Sequence, residues 1–352
     1  MTAPATPASD SEPLAVVVRS HINAPAARGA HRIRLTVSGW IGLVCLASMA
    51  LGCFASLPWT LARVDGGSGI AIRRYEATDY DRALLPPSWW GAGPVDHPSL
   101  EDGGLLGTDR FGRDVLARCL LGGAVSLTVG LSAAAIAVVI GTLYGAVAGA
   151  RRGMVDGAMM RFVDLLYGIP GLLLVVLLAV AVEGAMSRLH IDQTPIASRL
   201  VDVAVLVAAI GGTSWLTMAR VVRGQVLSLR ERPFMEATRA LGLSGTRQFT
   251  RHLLPNLVGP IAVYAALAVP AAILSESFLS FLGIGVREPL PSWGNLASAG
   301  LAELNLVTSR WWLLAWPCLL IAATLVSLSL LGDELRDAID PAARGRAPAG
   351  AS

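Results

Sequence analysis

Residues 123–150 read GAVSLTVGLSAAAIAVVIGTLYGAVAGA, an uninterrupted apolar run without a charged side chain. A helix of about 20 such residues crosses the hydrocarbon core of a bilayer. Because lipid offers the backbone no hydrogen-bond partner, such a run is expected to form an α-helix that satisfies its own N–H and C=O groups. The run therefore predicts an all-α protein that spans a membrane.

Other apolar runs of spanning length lie on both sides of this one. They cover approximately residues 35–57, 162–182, 202–222, 257–283 and 311–332. Hydrophobic residues make up 54% of the chain and charged residues 15%, whereas about a quarter of the residues in a soluble domain are charged. The sequence predicts a polytopic membrane protein with six transmembrane helices, embedded in lipid.

The polar stretches between the runs set the predicted divisions of the chain. These are a disordered N-terminal tail at 1–34, a first span at 35–57, an outer loop at 58–121, a membrane domain at 122–335 and a C-terminal tail at 336–352. The N-terminal tail is rich in Pro, Ala and Ser and has little to bury. At the end of the outer loop, residues 113–121 predict an amphipathic helix lying on the membrane surface.

The distribution of arginine predicts the orientation of the spans. All 28 basic residues are Arg, and short cytoplasmic loops retain an excess of positive charge. With the N-terminus inside, the short outer loops hold only Arg188, Arg199, Arg287 and Arg310. Both termini and the segment 223–256 are therefore predicted to be cytoplasmic. The scattered arginines form no concentrated basic face, which argues against nucleic-acid binding.

The segment 223–256 carries signals for two short helices. Pro233 suits a first helical position, since its missing N–H costs nothing there. Glu236 follows in the first turn, where the helix dipole favours a carboxylate, and Gly242 suits a C-terminal stop. These signals predict a helix over 233–241. A second helix is predicted over Ser244–Pro255, with the serine as its N-cap and the proline at its end.

The predicted helix at 233–241 is amphipathic. Its apolar face carries Phe234, Ala237 and Leu241, and its opposite face carries Glu236 and Arg239. A helix this short is marginal alone and must pack on something. Two hypotheses follow from the residues, because the helix can rest on lipid or can lie in a groove of a soluble protein.

The same segment resembles a known cytoplasmic loop. Glu236-Ala237-Thr238, Gly242 and Leu254-Pro255 are similar to the conserved loop of permease subunits of bacterial ABC importers, where Thr238 takes the place of a third small residue. In that family the loop contains a coupling helix that docks in a groove of the ATP-hydrolysing subunit. The resemblance implies that the ATPase-coupling residues are Pro233, Phe234, Glu236, Ala237, Thr238, Arg239, Leu241, Gly242, Leu254 and Pro255.

Further motifs resemble one branch of that family, the dipeptide, oligopeptide and nickel permeases. They lie at 106–109, 112–116, 126–127, 251–256, 276–285, 291–294 and 332–341. The plan with one span before a long outer loop is similar to the second, C-type permease of the pair. The resemblance implies a type I importer fold and import of dipeptides or oligopeptides across a bacterial inner membrane. Nickel chelates and glutathione are alternative cargoes in the same branch.

The resemblance also implies partners. A homologous permease would complete a heterodimer, two cytoplasmic ATPases would bind ATP and Mg²⁺, and a separate extracytoplasmic protein would capture the substrate. The chain has no Gly-x4-Gly-Lys-Ser/Thr phosphate loop and no Lys at all. We therefore expect no ATP hydrolysis, no catalytic residue, no metal and no cofactor in this chain. A secondary transporter that uses a carboxylate within the membrane is a rival hypothesis, and a membrane-embedded enzyme is another.

Glu276 lies inside the fifth apolar run, where a charge costs on the order of 3 kcal/mol at the centre of a helix. It either faces the pathway or a gate, or hydrogen-bonds neighbouring serines. Ser280, Phe281 and Trp293 are further candidates for the pathway or a gate, although Trp293 can also belong to a simple turn held among lipid headgroups.

Three small residues, Gly141, Gly145 and Gly149, repeat at every fourth position of the second run. Such a stripe lets another helix approach closely. It predicts tight packing either within the chain or against another subunit.

Overall fold

The structure, a computed structural model, describes residues 36–65, 71–90, 104–151, 153–188, 195–304 and 309–339. The tail predicted at 1–34 lies outside these residues. The helices are α1 (Val37–Ala55), α2 (Leu57–Thr60), α3 (Val115–Arg151), α4 (Gly153–Tyr167), α5 (Gly171–Arg188), α6 (Pro195–Arg230), α7 (Pro233–Ala240), α8 (Gly245–Gln248), α9 (Leu254–Phe281), α10 (Trp293–Ala302) and α11 (Trp312–Ile339). The last of these passes the predicted boundary at 335, and residues 340–352 lie outside the description.

Within the described ranges, five helical stretches are long and apolar enough to cross a membrane. They are Val37–Thr60, Val115–Arg151, Arg199–Arg230, Gly245–Phe281 and Trp312–Ala338. A sixth arises if α4 and the first part of α5 are counted as one span. The all-α polytopic fold is thereby confirmed.

The span predicted at 162–182 is wrong as a continuous helix. The chain bends by 94° between α4 and α5. Pro170 lacks an N–H for the helical ladder and disfavours helical backbone at Ile169, and α4 ends at Tyr167 just before them. The run predicted at 162–182 stays long and apolar enough to span a membrane when it is averaged across the break.

The glycine stripe of α3 is packed against α6 of the same chain. A Cβ atom at Gly141 would lie 2.5 Å from the Cβ of Met218, and one at Gly145 would lie 2.3 Å from the carbonyl oxygen of Ala219. At Gly149 the closest atom, also on α6, would be 2.8 Å away. The prediction of tight packing within the chain is confirmed, since only glycine leaves room for this approach.

The separate surface helix predicted at 113–121 is wrong, because residues from Val115 onward form the first turns of the continuous helix α3. Val115 and Cys119 are buried against Trp312 and Leu313 at the start of α11. Protein therefore covers the apolar side of these turns.

Asp114 caps the start of α3, its carboxylate accepting a hydrogen bond from the N–H of Leu116 at 2.9 Å. Burial raises the pKa of Asp114, against the opposing effect of backbone hydrogen bonds from Leu116 and Ala117.

The first loop packs at the end of the bundle where α3 begins, which we call the loop end. Strands β1 (Arg63–Asp65) and β2 (Ala71–Arg73) form an antiparallel hairpin. Tyr75 follows and is buried, and its hydroxyl accepts a hydrogen bond from Arg199 near the start of α6 at 2.8 Å. At the opposite end of the bundle, α3 and α6 finish side by side next to α7.

Candidate functional site

Helix α7 forms as its sequence predicts, one residue shorter than expected. Pro233 occupies its first turn, and Leu241 is the C-terminal cap. Gly242 has a φ of +70°, its N–H donates to the carbonyl of Arg239 at 2.9 Å, and the N–H of Leu243 donates to that of Thr238 at 3.2 Å. This pair of bonds ends a helix in a left-handed glycine. The predicted stop at Gly242 is confirmed.

Two side chains of α7 face the rest of the protein. Met235 and Thr238 are buried, and the Thr238 hydroxyl donates to the carbonyl of Met235 at 2.8 Å. Met235 is 1% exposed and joins a core built from α3, α6 and α9. Its buried partners there are Ala146, Met218, Val222, Val226, Leu229, Leu253 and Leu257. This core fixes the position of α7.

Sequence reasoning missed Met235. The signal available was its spacing of three from Thr238, which places the two residues on one side of a helix.

The predicted apolar face of α7 is largely exposed among the residues that the structure describes. Phe234 is 37% exposed and Leu241 is 78% exposed, and Ala237 between them is exposed as well. Glu236 and Arg239 are also exposed, and at 100° per residue they lie on the side of the helix opposite these apolar residues, as predicted. The buried side, formed by Met235 and Thr238, lies between the apolar and polar faces, about a quarter turn from the apolar one.

The helix predicted over Ser244–Pro255 is wrong at its end. It starts at Gly245, although the Ser244 side chain makes no capping bond. A π-helical stretch, Phe249–Leu253, then joins it to α9. Pro255 lies in the first turn of α9, where a proline costs no hydrogen bond. Leu254 and Pro255 are exposed at this end of the bundle, beyond the core that holds α7.

The pathway candidates lie near the loop end. Glu276 is fully buried and accepts hydrogen bonds from the hydroxyls of Ser280 at 2.8 Å and Ser277 at 3.3 Å. Ser126 on α3 and Ser292 before α10 also hydrogen-bond this carboxyl group. The hypothesis that Glu276 bonds neighbouring serines is confirmed.

The same serines organise the segment between α9 and α10. Ser280 Oγ accepts the N–H of Val286 at 3.0 Å, Ser126 Oγ accepts that of Trp293 at 3.2 Å, and Ser292 Oγ accepts that of Asn295 at 3.3 Å. Glu276 therefore lies at the centre of a hydrogen-bonded hub that joins α3, α9 and the start of α10.

Trp293 is the first residue of α10 and is fully buried. Its indole N–H donates to the carbonyl of Cys119 at 3.0 Å. The prediction of a simple turn among headgroups is wrong, because a capping box between Ser292 and Asn295 starts a helix here. Phe281, the last residue of α9, is half-buried. A role for Glu276, Ser280, Phe281 or Trp293 in the pathway stays a prediction.

A buried charge cluster ties the loop end together. Arg118 is 1% exposed and contacts Asp109 at 3.0 Å and Glu288 at 2.6 Å. Arg113 contacts the same two carboxylates at 2.7 and 2.9 Å. The sequence motifs contain Asp109 and Arg113, whereas Arg118 and Glu288 lie outside them, so the motifs do not reveal that Glu288 completes the cluster. Among the residues that the structure describes, no group of three or more His, Cys, Asp or Glu side chains could hold a metal ion.

Comparisons with known proteins match most of the membrane domain. The family model described as "Binding-protein-dependent transport system inner membrane component" matches residues 141–345. The oligopeptide transport system permease protein OppC of Escherichia coli K12 is 44% identical over 244 residues, 69% of this chain and 74% of that protein. OppC of Haemophilus influenzae is 42% identical over 69% of this chain and 72% of its own length.

A dipeptide permease is similar to the same degree. The dipeptide transport system permease protein DppC of Bacillus subtilis is 41% identical over 260 residues, 74% of this chain and 71% of that protein. Among solved structures, a chain of the MetNI methionine ABC transporter in inward-facing conformations is 17% identical with a TM-score of 0.46, over 62% of this chain and 94% of that one.

Proposed function

The chain belongs to the inner-membrane components of binding-protein-dependent transport systems, and on that premise we propose that it is the permease subunit of an ATP-driven importer of short peptides. The relatives named as oligopeptide and dipeptide permeases support the peptide substrate. A homologous permease, two ATPases and an extracytoplasmic binding protein complete the proposed transporter. The arginine distribution supports an orientation in which both termini and α7 are cytoplasmic.

The observation that carries the proposal is the geometry of α7. Met235 and Thr238 fix the helix to the bundle, while Phe234, Ala237 and Leu241 remain exposed. An apolar helix face that the described residues leave exposed suits a groove on a soluble partner. In the proposed function that partner is an ATPase subunit, and Leu254 and Pro255 flank the contact.

Coupling follows from differential binding. A ligand shifts a two-state equilibrium only by its difference in affinity for the two states. ATP favours the closed pair of ATPases, whose grooves bring the two docked coupling helices together. This chain contributes the fixed, exposed helix that converts that closure into movement of its spans.

The docking claim is tested with the double variant Phe234→Ala and Leu241→Ala in the purified transporter. Fully burying such a side chain contributes about 1.5–3 kcal/mol. Because Phe234 is already partly covered, we expect the double variant to lose about 3 kcal/mol of binding free energy, which is a roughly 100-fold loss of affinity for the ATPase. The variant subunit should insert and pair with the second permease while the ATPases no longer co-purify.

Leu319→Ala on α11 is the matched control, since Leu319 is also exposed but lies in the first turns of α11, whose start packs at the loop end. It should retain the ATPases. A charge reversal, Glu236→Arg, should abolish uptake in vesicles while the subunit still inserts. Normal ATPase retention and uptake in the α7 variants would refute the docking role.

The substrate is tested by uptake into proteoliposomes with the transporter's own binding protein. Labelled dipeptides and oligopeptides should be accumulated in an ATP-dependent, vanadate-sensitive manner. Accumulation of a nickel chelate or glutathione with no uptake of peptides would contradict the substrate class. Uptake that survives vanadate but collapses with the proton gradient would contradict the ATP-driven mechanism.

A further inference from the structure

Arg230 is the last residue of α6 and also reaches α3. Its guanidinium group donates hydrogen bonds to the carbonyl of Gly149, at 2.9 Å, and to that of Ala150. Both carbonyls lie in the last turn of α3, where C=O groups have no partner within their own helix. A cation there also complements the negative end of the helix dipole. Arg230 therefore holds the ends of α3 and α6 together.

The backbone of Arg230 is bound from the other side by α7. The guanidinium group of Arg239 donates to the carbonyl oxygen of Arg230 at 2.8 Å. The connection between α6 and α7 is itself a hydrogen-bonded turn, since the N–H of Arg232 donates to the carbonyl of Leu229 at 3.2 Å and the N–H of Met235 to that of Arg232 at 2.9 Å. A single residue thus contacts three helices where they meet.

The helices are closely packed around this junction. Val226 on α6 and Met235 on α7 are 0% and 1% exposed and belong to the same core. Gly145 and Gly149 bring α3 directly against α6. Close-packed interiors transmit displacement rather than absorb it, so a displacement of α7 is carried into both long helices.

We propose that Arg230 is a positioning residue for coupling, which makes α3 move together with α7 when the docked ATPases close. The proposal rests on the proposed function and extends it from the docking surface to the route by which movement enters the spans. Without the guanidinium group, α7 remains joined to α6 by the chain and by Met235, and α3 keeps its glycine contacts with α6. The last turn of α3 then loses the hydrogen bonds that hold it to the junction with α7. ATP would then be hydrolysed with less transport.

The test compares Arg230→Ala, Arg230→Lys and wild type in the complete transporter, reconstituted in proteoliposomes. Arg230→Ala should retain the ATPases and hydrolyse ATP at a rate within about twofold of wild type, while peptide transported per ATP falls about tenfold. Arg230→Lys should restore much of this ratio, because it keeps a cationic donor at the α3 terminus. Arg336→Ala, which removes an exposed arginine from α11 at the same end, should leave the ratio unchanged.

A distance measurement separates coupling from general instability. Spin labels at Leu143 on α3 and Ala240 on α7, both exposed, should keep one narrow distance distribution with and without ATP in wild type. In Arg230→Ala the distribution should broaden on ATP binding, while the midpoint of thermal unfolding changes little. An unchanged ratio of transport to ATP, or a narrow distribution in Arg230→Ala, would overturn the proposal.

Together with the α7 variants, these measurements distinguish failure of the docking role from failure of the positioning role. If ATPases remain bound when the exposed face of α7 is altered, the docking role itself fails. If they bind through α7 and Arg230→Ala is fully coupled, only the positioning role fails.

Discussion

The contact between α3 and α6 predicts that Gly145→Ala destabilises the protein. The new Cβ would lie 2.3 Å from the Ala219 carbonyl oxygen and 3.0 Å from the Arg223 nitrogen. Ordinary van der Waals contact begins at 3.4 Å, so α3 and α6 must move apart by about 1 Å to accommodate the new Cβ. The obstructing atoms belong to backbone, and no side-chain rotation relieves them.

The magnitude follows from two opposing effects. Overpacking a close contact costs about 1–3 kcal/mol, and the upper end applies where backbone must move. Alanine has a higher helix propensity than glycine by about 0.8–1.0 kcal/mol. The net loss is therefore about 2 kcal/mol, which lowers the midpoint of thermal unfolding by about 3 °C in a protein of this size.

Gly224→Ala is the matched control for Gly145→Ala. It lies on α6 at the same end of the bundle, and a Cβ there meets no atom within 4 Å. We expect this variant to be slightly more stable than wild type, since only the propensity term applies. The assay is thermal unfolding of both variants in nanodiscs, followed by tryptophan fluorescence. Equal midpoints for Gly145→Ala and Gly224→Ala would refute the close helix contact.

Three further substitutions test other contacts. Met235→Ala should lower the free energy that holds α7 on the bundle by about 2–5 kcal/mol. Amide hydrogen exchange should become faster in α7 and stay unchanged in α3. Glu276→Ala should leave buried hydroxyls without their acceptor, which costs about 1–3 kcal/mol for each hydroxyl, whereas Glu276→Gln keeps an acceptor. The midpoint of thermal unfolding should be highest for wild type, lower for Glu276→Gln and lowest for Glu276→Ala. Equal midpoints would contradict the hydrogen-bonded hub. Arg118→Ala should lower the free energy of unfolding by about 3 kcal/mol. This is near the low end of the range for breaking a buried ion pair, because Arg113 still contacts both carboxylates. A chemical denaturation midpoint unchanged from wild type would contradict that cluster.

The loop at 223–256 shows how far local sequence reasoning reaches. Pro233 and Gly242 act through their own backbone, one by a missing N–H and the other by a positive φ, so their roles could be assigned without the rest of the protein. The buried side of α7 could not be assigned in this way. Met235 and Phe234 are adjacent apolar residues, and only the position of α3, α6 and α9 decides which of them is covered.

The break between α4 and α5 and the hub around Glu276 illustrate the same limit. Hydropathy measures transfer into lipid and carries no information on direction, so the hydropathy of the run at 162–182 does not predict a 94° bend. Pro170 marks a place where the helix can break, but the angle depends on how α4 and α5 pack. Glu276 was recognisable as costly in an apolar run, but Ser126 lies far from it along the chain. Its contact exists only because α3 and α9 pack together.

The sequence by itself determined that this chain is an all-α membrane protein with a short, capped helix in a polar segment, because apolar length and backbone caps are local properties. The family could be recognised from its motifs for the same reason. Tertiary structure alone decided that the glycine stripe is filled by α6, that α7 presents its apolar face outward, and that Arg230 joins three helix ends. These features depend on which distant surfaces meet, and that is set by packing of the whole bundle rather than by any one stretch of residues.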